Sequence, residues 1–241
     1  MPTLTTRRWV VLGAAVLGVL VTARLGWWQL DRAAQKQALQ QALDSRRAEP
    51  PLPAWAVARG PADAALQVHR ATVLEGRWLP ESTLYLENRQ MRGRPGFVVV
   101  SGLQLPDGMA VLVQRGWLPR DLMDRTAVKA PPLPGGMVQV AGRLAPAPGR
   151  LYEFSGAASG PIRQNLDFPE FAAALRLPVL PLSLVQEDGP LTPVDGLLRD
   201  WPRPAADLHK HHGYAFQWFA LASLILGLYV WFQILRPRFR R

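Results

Sequence analysis

Two apolar stretches, one towards each end of the chain, constrain this sequence more than anything between them. The first covers residues 9–30 and the second residues 214–235. A helix needs roughly 20 apolar residues to cross the hydrocarbon core of a bilayer, and each stretch reaches that length. The segment between them, residues 31–212, is mixed in polarity. It is long enough for one compact domain with its own core. The expected architecture is an α+β membrane protein, with two transmembrane helices flanking a single domain.

Charge supplies the orientation. The formal net charge is +10, and much of it is terminal. Arg7 and Arg8 precede the first stretch; Arg236, Arg238, Arg240 and Arg241 follow the second. An excess of Lys and Arg beside short loops marks the cytoplasmic side. The pattern predicts residues 1–8 in the cytoplasm, a first span at 9–30, an extracytoplasmic domain at 31–212, a second span at 213–235 and a cytoplasmic end at 236–241. The basic balance is then a matter of topology, with the lipid bilayer as partner. No nucleic-acid recognition motif accompanies it, so nucleic acid is not an expected partner.

The first stretch has a rival reading. Arg7-Arg8, an apolar run and then Val21-Thr22-Ala23 resemble a signal peptide with a small-residue cleavage site. Against cleavage, Leu25-Gly26-Trp27-Trp28 continues the apolar run, and Trp suits a membrane interface. Arg24 can snorkel outward on its long stem. The expectation carried forward is an uncleaved anchor. The chain has no cysteine, which excludes disulfides, thiolate metal sites and covalent CxxCH haem attachment.

Residues 32–47 (RAAQKQALQQALDSRR) are rich in helix formers and extend the first helix beyond the apolar run. Pro50, Pro51 and Pro53 end it, and an irregular connection follows to about Leu66. Strand signals come next: residues 71–78, then 83–88 after a turn centred on Pro80. Residues 96–103 and 110–115 form a hairpin across Pro106-Asp107-Gly108. Val138, Val140 and Leu144 carry a near period-two alternation. Asp167 is placed to cap a short helix ending near Leu175, with Pro169 in its first turn. Residues 178–186 read as a last strand, and residues 201–204 lead to the second span. The domain is expected to be mainly antiparallel β, a sheet or a partly closed barrel.

Enzymatic signatures are missing: there is no HExxH, no GxSxG and no Walker sequence. Glu81, Glu87, Asp107, Asp121 and Asp124 are scattered through turns and strand faces as solvated carboxylates. The chain is expected not to be an enzyme. Three of its four histidines, His209, His211 and His212, stand together just before the second span. They fit either a solvated turn or a ligating imidazole for a metal or haem. His211, Tyr214 and Trp218 share a face if the helix begins early, and such a face can wall a porphyrin. Aromatics at an interface also serve as plain anchors.

Three motifs in order, spread over nearly the whole chain, carry a resemblance. Leu25-Gly26-Trp27-Trp28-Gln29-Leu30-Asp31-Arg32 with Lys36 closes the first span. Gly96-Phe97-Val98-Val99 leads through Asp107-Gly108 to Val111-Leu112-Val113-Gln114-Arg115-Gly116-Trp117-Leu118-Pro119. His211-His212-Gly213-Tyr214-Ala215-Phe216-Gln217-Trp218-Phe219 opens the second. Together they resemble the surfeit-locus cytochrome c oxidase assembly factors, the Shy1-like family in its bacterial branch. The chain departs at Gln114, where that family usually has Asn, and at Ser101-Gly102 in place of a common Thr-Pro.

The resemblance implies an assembly factor that binds haem a noncovalently and assists its insertion into oxidase subunit I, with haem a synthase as a further candidate partner. It implies a multi-pass protein of the bacterial inner (plasma) membrane with a periplasmic domain. Its alternative is an adaptor that docks on oxidase subunits without a cofactor. The family's membrane-helix histidine aligns with His211, the implied metal ligand; His209 and His212 inherit no role. Tyr214, Trp218, Trp28, Gln29 and Arg32 are the other implied cofactor contacts. Arg32 suits either a propionate or a nearby acid or phosphate headgroup. Arg115-Gly116-Trp117 either packs beneath the sheet or faces the oxidase or the propionates, and packing is the favoured role.

Overall fold

A computed structural model describes residues 4–121, 123–124, 127–128, 131, 133–152, 160–202 and 207–236. Arginines 238, 240 and 241 of the expected C-terminal charge cluster, and residues 203–204 of the expected lead into the second span, lie outside them. The chain divides into two compact units, Met1–Ala42 with Arg203–Arg241, and Leu43–Pro202.

The first unit is helical. Helix α1 runs Leu4–Ala48 without a break, as the helix formers after residue 31 require. Near the other end of the chain, a helix covers Leu208–Tyr229 and continues as a π-type turn over Val230–Leu235. Both helices are long and apolar enough to cross a membrane, and only 11% and 6% of their most apolar windows are buried. The buried core helix of a soluble domain would show the opposite.

The second unit is α+β with a mixed, mostly antiparallel sheet. Its strands are β1 (Ala71–Met91), β2 (Arg94–Gln104), β3 (Ala110–Pro119), β4 (Met137–Ala145), the two-residue β5 (Ile162–Arg163) and β6 (Val179–Gln186). The order is β2-β3-β6-β4-β1-β5, and β2 also pairs with β1. The pairings β1–β2–β3–β6–β4–β1 therefore close a five-strand ring, with β5 added along β1. The β3–β6 and β1–β5 pairs are parallel and the rest antiparallel. Inward-facing Leu74, Leu103, Val111, Val113, Leu144 and Leu184 fill one core cluster.

Two local expectations are corrected. Residues 71–78 and 83–88 are not two strands joined at Pro80 but parts of one 21-residue strand. Its pairing with β2 jumps from Leu79↔Gly102 to Leu84↔Val100, so residues 80–83 form a bulge opposite Ser101. A bulge tolerates Pro80, which has no N–H to give to a ladder. Ser82 seals it: its hydroxyl accepts from the Gly102 N–H at 2.7 Å and donates to the Leu79 carbonyl at 2.5 Å. The irregular connection before β1 contains helix α2 (Pro61–Gln67). Pro61 starts it after extended Gly60, because a fixed proline φ suits the first helical turn. β5 carried no readable signal, being two residues long. Helix α3 (Phe168–Leu175) matches its expectation, with the Asp167 carboxylate accepting from the Glu170 N–H at 2.9 Å.

The Arg115-Gly116-Trp117 segment lies inside this unit. Arg115 and Trp117 are each 1% exposed. The Trp117 indole N–H donates to the Arg89 carbonyl at 2.8 Å, and the Trp117 backbone bonds both ways with Leu198. Arg115 stacks over the Trp78 ring at 5.2 Å and faces Asp195 at 3.5 Å. Asp195 also takes Arg199 at 2.6 Å, so two buried guanidiniums share one buried carboxylate. Burial pulls the Arg115 pKa below its ordinary value, and Asp195 opposes that shift. Breaking a buried pair from one side strands the remaining charge. Asp195→Ala should therefore destabilise this unit by about 3–5 kcal/mol. Asp188→Ala, which removes the exposed partner 3.4 Å from Arg199, should cost below about 1 kcal/mol. Denaturant unfolding of the two variants against the wild type measures both.

Candidate functional site

The helix over Leu208–Tyr229 is α4, and its first turns contain all three clustered histidines. Because the helix begins at residue 208, His211, Tyr214 and Trp218 fall on one face, as the spacing required. Ala215 is buried, whereas His212, Tyr214 and Phe216 are exposed.

α1 and α4 run antiparallel through successive contacts. A Cβ on Gly18 would stand 3.3 Å from the Ile225 side chain, and one on Gly26 would stand 2.8 Å from the Phe219 ring. Gly26 thus lets the Phe219 ring lie against the α1 backbone, a use of glycine common where membrane-type helices approach closely. Trp27 meets the same ring edge-on at 6.2 Å between centroids. Thr22 is buried in this apolar zone, and its hydroxyl is satisfied within α1 by the Gly18 carbonyl at 2.7 Å. At the end of the series, His211 Nδ1 stands 2.8 Å from Gln29 Oε1.

The structure thus joins two of the sequence-derived site residues directly, across 182 positions of chain. Trp28 and Arg32 lie on α1 in the same region of sequence. The Arg32 guanidinium sits 5.8 Å from the Trp28 ring centroid and donates to Gln35 Oε1 at 3.3 Å. Gln35 in turn donates to the Asp31 carboxylate at 2.8 Å. Trp28 and Tyr214 are 44% and 52% exposed, so both aromatics have faces open to an incoming group. At the start of α4, Lys210 holds the Asp207 carboxyl below its usual pKa through a 2.7 Å contact, and Lys36 adds to the shift. Gly26, Phe219 and Thr22 were not singled out as an interface from sequence. Small residues recurring along an apolar helix would have been the signal.

Among the described residues no group of three His, Asp or Glu side chains converges as a bare metal ion would need. A lone imidazole suits a different demand. A haem iron brings four porphyrin nitrogens and asks the protein for an axial ligand such as histidine. His211, with flat aromatics on its own helix, fits that group.

A closed β ring in one unit, and two helices long and apolar enough to cross a membrane in the other, fit a membrane-anchored protein. Comparison with family models makes the class specific. The SURF1 family model matches residues 16–223, and the chain belongs to that family. Membership implies a role in cytochrome c oxidase assembly, as an assembly factor rather than a known enzyme. A comparison with curated proteins finds no match.

The helix contact is testable because the chain has no native cysteine to confuse cross-linking. With Gly18→Cys and Ile225→Cys introduced together, oxidation should join α1 to α4. Adding Gly26→Val should sharply reduce that cross-link, since its side chain overlaps the Phe219 ring. Quantifying the cross-linked fraction on gels decides it.

Proposed function

We propose that this protein binds haem a noncovalently at His211 and assists its insertion into cytochrome c oxidase subunit I, without catalytic turnover. The supporting observation is His211 itself. It lies on one helix face with Tyr214 and Trp218, and its ring is engaged by Gln29 from the other helix. The bound group would supply the iron; the chain supplies the ligand and the walls. Trp28, Tyr214 and Trp218 offer flat surfaces to a porphyrin. Arg32, exposed beside Trp28, offers a guanidinium that suits a carboxylate such as a propionate. A single protein ligand and no covalent link suit a cargo that has to leave.

In this reading α1 and α4 cross the bacterial inner membrane, both termini are cytoplasmic, and the β unit is periplasmic. The basis is Arg7 and Arg8 ahead of the first apolar stretch and the arginines after the second. Reporter fusions after Gly108 should be active only in periplasmic-reporter form, and fusions at either terminus only in cytoplasmic form. A cytoplasmic signal from Gly108 would sink the topology.

Ligation is tested by purifying the protein from cells that make haem a. His211→Ala should remove or strongly shift the Soret band while leaving membrane insertion intact, because water replaces a directed iron–nitrogen bond poorly. His212→Ala should do far less, since the next helical position points about 100° away. A wild-type protein that stays colourless with haem a abundant would favour the cofactor-free adaptor.

A further inference from the structure

Gln29 meets the His211 ring from α1, its amide oxygen 2.8 Å from Nδ1. The contacting atom is the amide oxygen, which only accepts, so a neutral imidazole in this contact carries its proton on Nδ1. That leaves the Nε2 lone pair, at the far end of the ring, free to ligate. A neutral histidine in water favours the opposite tautomer, with the proton on Nε2. The hydrogen bond also restricts rotation of the ring about its Cβ–Cγ bond. The partners stand on different helices, so the bond exists only while α1 and α4 are paired.

We infer that Gln29 is a positioning residue that sets the ligating nitrogen of His211, making haem loading conditional on pairing of the two helices. This rests on the haem reading of His211. Gln29 acts through the imidazole rather than on the cofactor, as outer partners of metal-bound histidines do. The pairing that supports it is visible one turn away: Gly26 precedes Gln29 by three residues on the same face, and its backbone is where the Phe219 ring packs. Any change that separates the helices removes the acceptor from Nδ1 and releases the ring at the same time.

The test uses the full chain in detergent, labelled with nitrogen-15 at histidine and free of haem. Long-range proton–nitrogen correlation should show His211 as the Nδ1–H tautomer in the wild type. In Gln29→Leu that signature should be lost, and affinity in a titration with haem a should fall by about 10–100-fold. Gln29→Glu keeps an acceptor at the same place. It should retain the Nδ1–H signature and affinity close to wild type, while moving the haem midpoint potential negative, because a charged acceptor makes the imidazole a stronger donor to iron. Gly26→Val leaves both side chains intact but disturbs pairing, and should lose the Nδ1–H signature as Gln29→Leu does.

An Nε2–H wild type, or unchanged haem affinity in Gln29→Leu, overturns the inference. Retention of the Nδ1–H signal in Gly26→Val overturns its coupling to helix pairing. His211→Ala separates the levels. If it binds haem as the wild type does, the haem reading itself fails; if it loses haem while Gln29→Leu does not, only the positioning role fails.

Discussion

The β unit depends on a single strand serving two neighbours. β1 pairs with β4 along Ala71–Arg77 and with β2 from Arg77 onward, so Arg77 is the junction where one partner hands over to the other. That handover turns an open sheet into a ring in which each of the five strands has two strand partners. The bulge at residues 80–83 accompanies the change, since bulges bend strands and increase their local twist. Everything else in the unit follows from closure. The parallel β3–β6 pair requires a crossover, which runs through β4, β5 and α3. The core side chains face a common interior.

The buried charges fix what crosses that ring. Arg115 comes from β3, whereas Asp195 and Arg199 come from the segment after β6. The Trp117–Leu198 backbone pair ties the same two pieces of chain together. Burying ions is costly unless the partners meet well, so an ill-placed segment would leave the buried Arg115 guanidinium without its carboxylate. The Trp78 face adds a cation–π contact that tolerates burial. The family motif around Arg115 therefore accounts for itself in packing and in the placing of the last segment of the domain.

Much of this was legible in the sequence, and the failures have physical causes. The two long helices, the β2–β3 hairpin and the capped α3 follow from apolar length, a Pro-Asp-Gly turn and an Asp–Glu spacing, all of them local signals. Pro80 misled because its missing N–H usually ends a strand, and only the partner strand reveals a bulge. α2 hid behind Gly60 and Pro61, where the proline starts a helix rather than breaking one. Ring closure rests on pairings between distant strands, such as Thr72 with Gly142, that no local pattern records. At the helix pair, His211 and Gln29 were each marked by motif. Their meeting was not, because it depends on how two separate helices pack.

The separation of Gln29 from His211 also sets an order in time. A ribosome adds roughly 5–20 residues per second, so the 182 positions between them take about 10–40 s to make. Throughout that interval α1 has no partner helix and the whole β unit is emerging. The contact can form only once the chain has been made as far as His211. A truncated product would keep its first apolar helix and nearly all of its β strands, yet lack the imidazole. The pairing of Gln29 with His211 therefore comes after every strand of the β unit has been made.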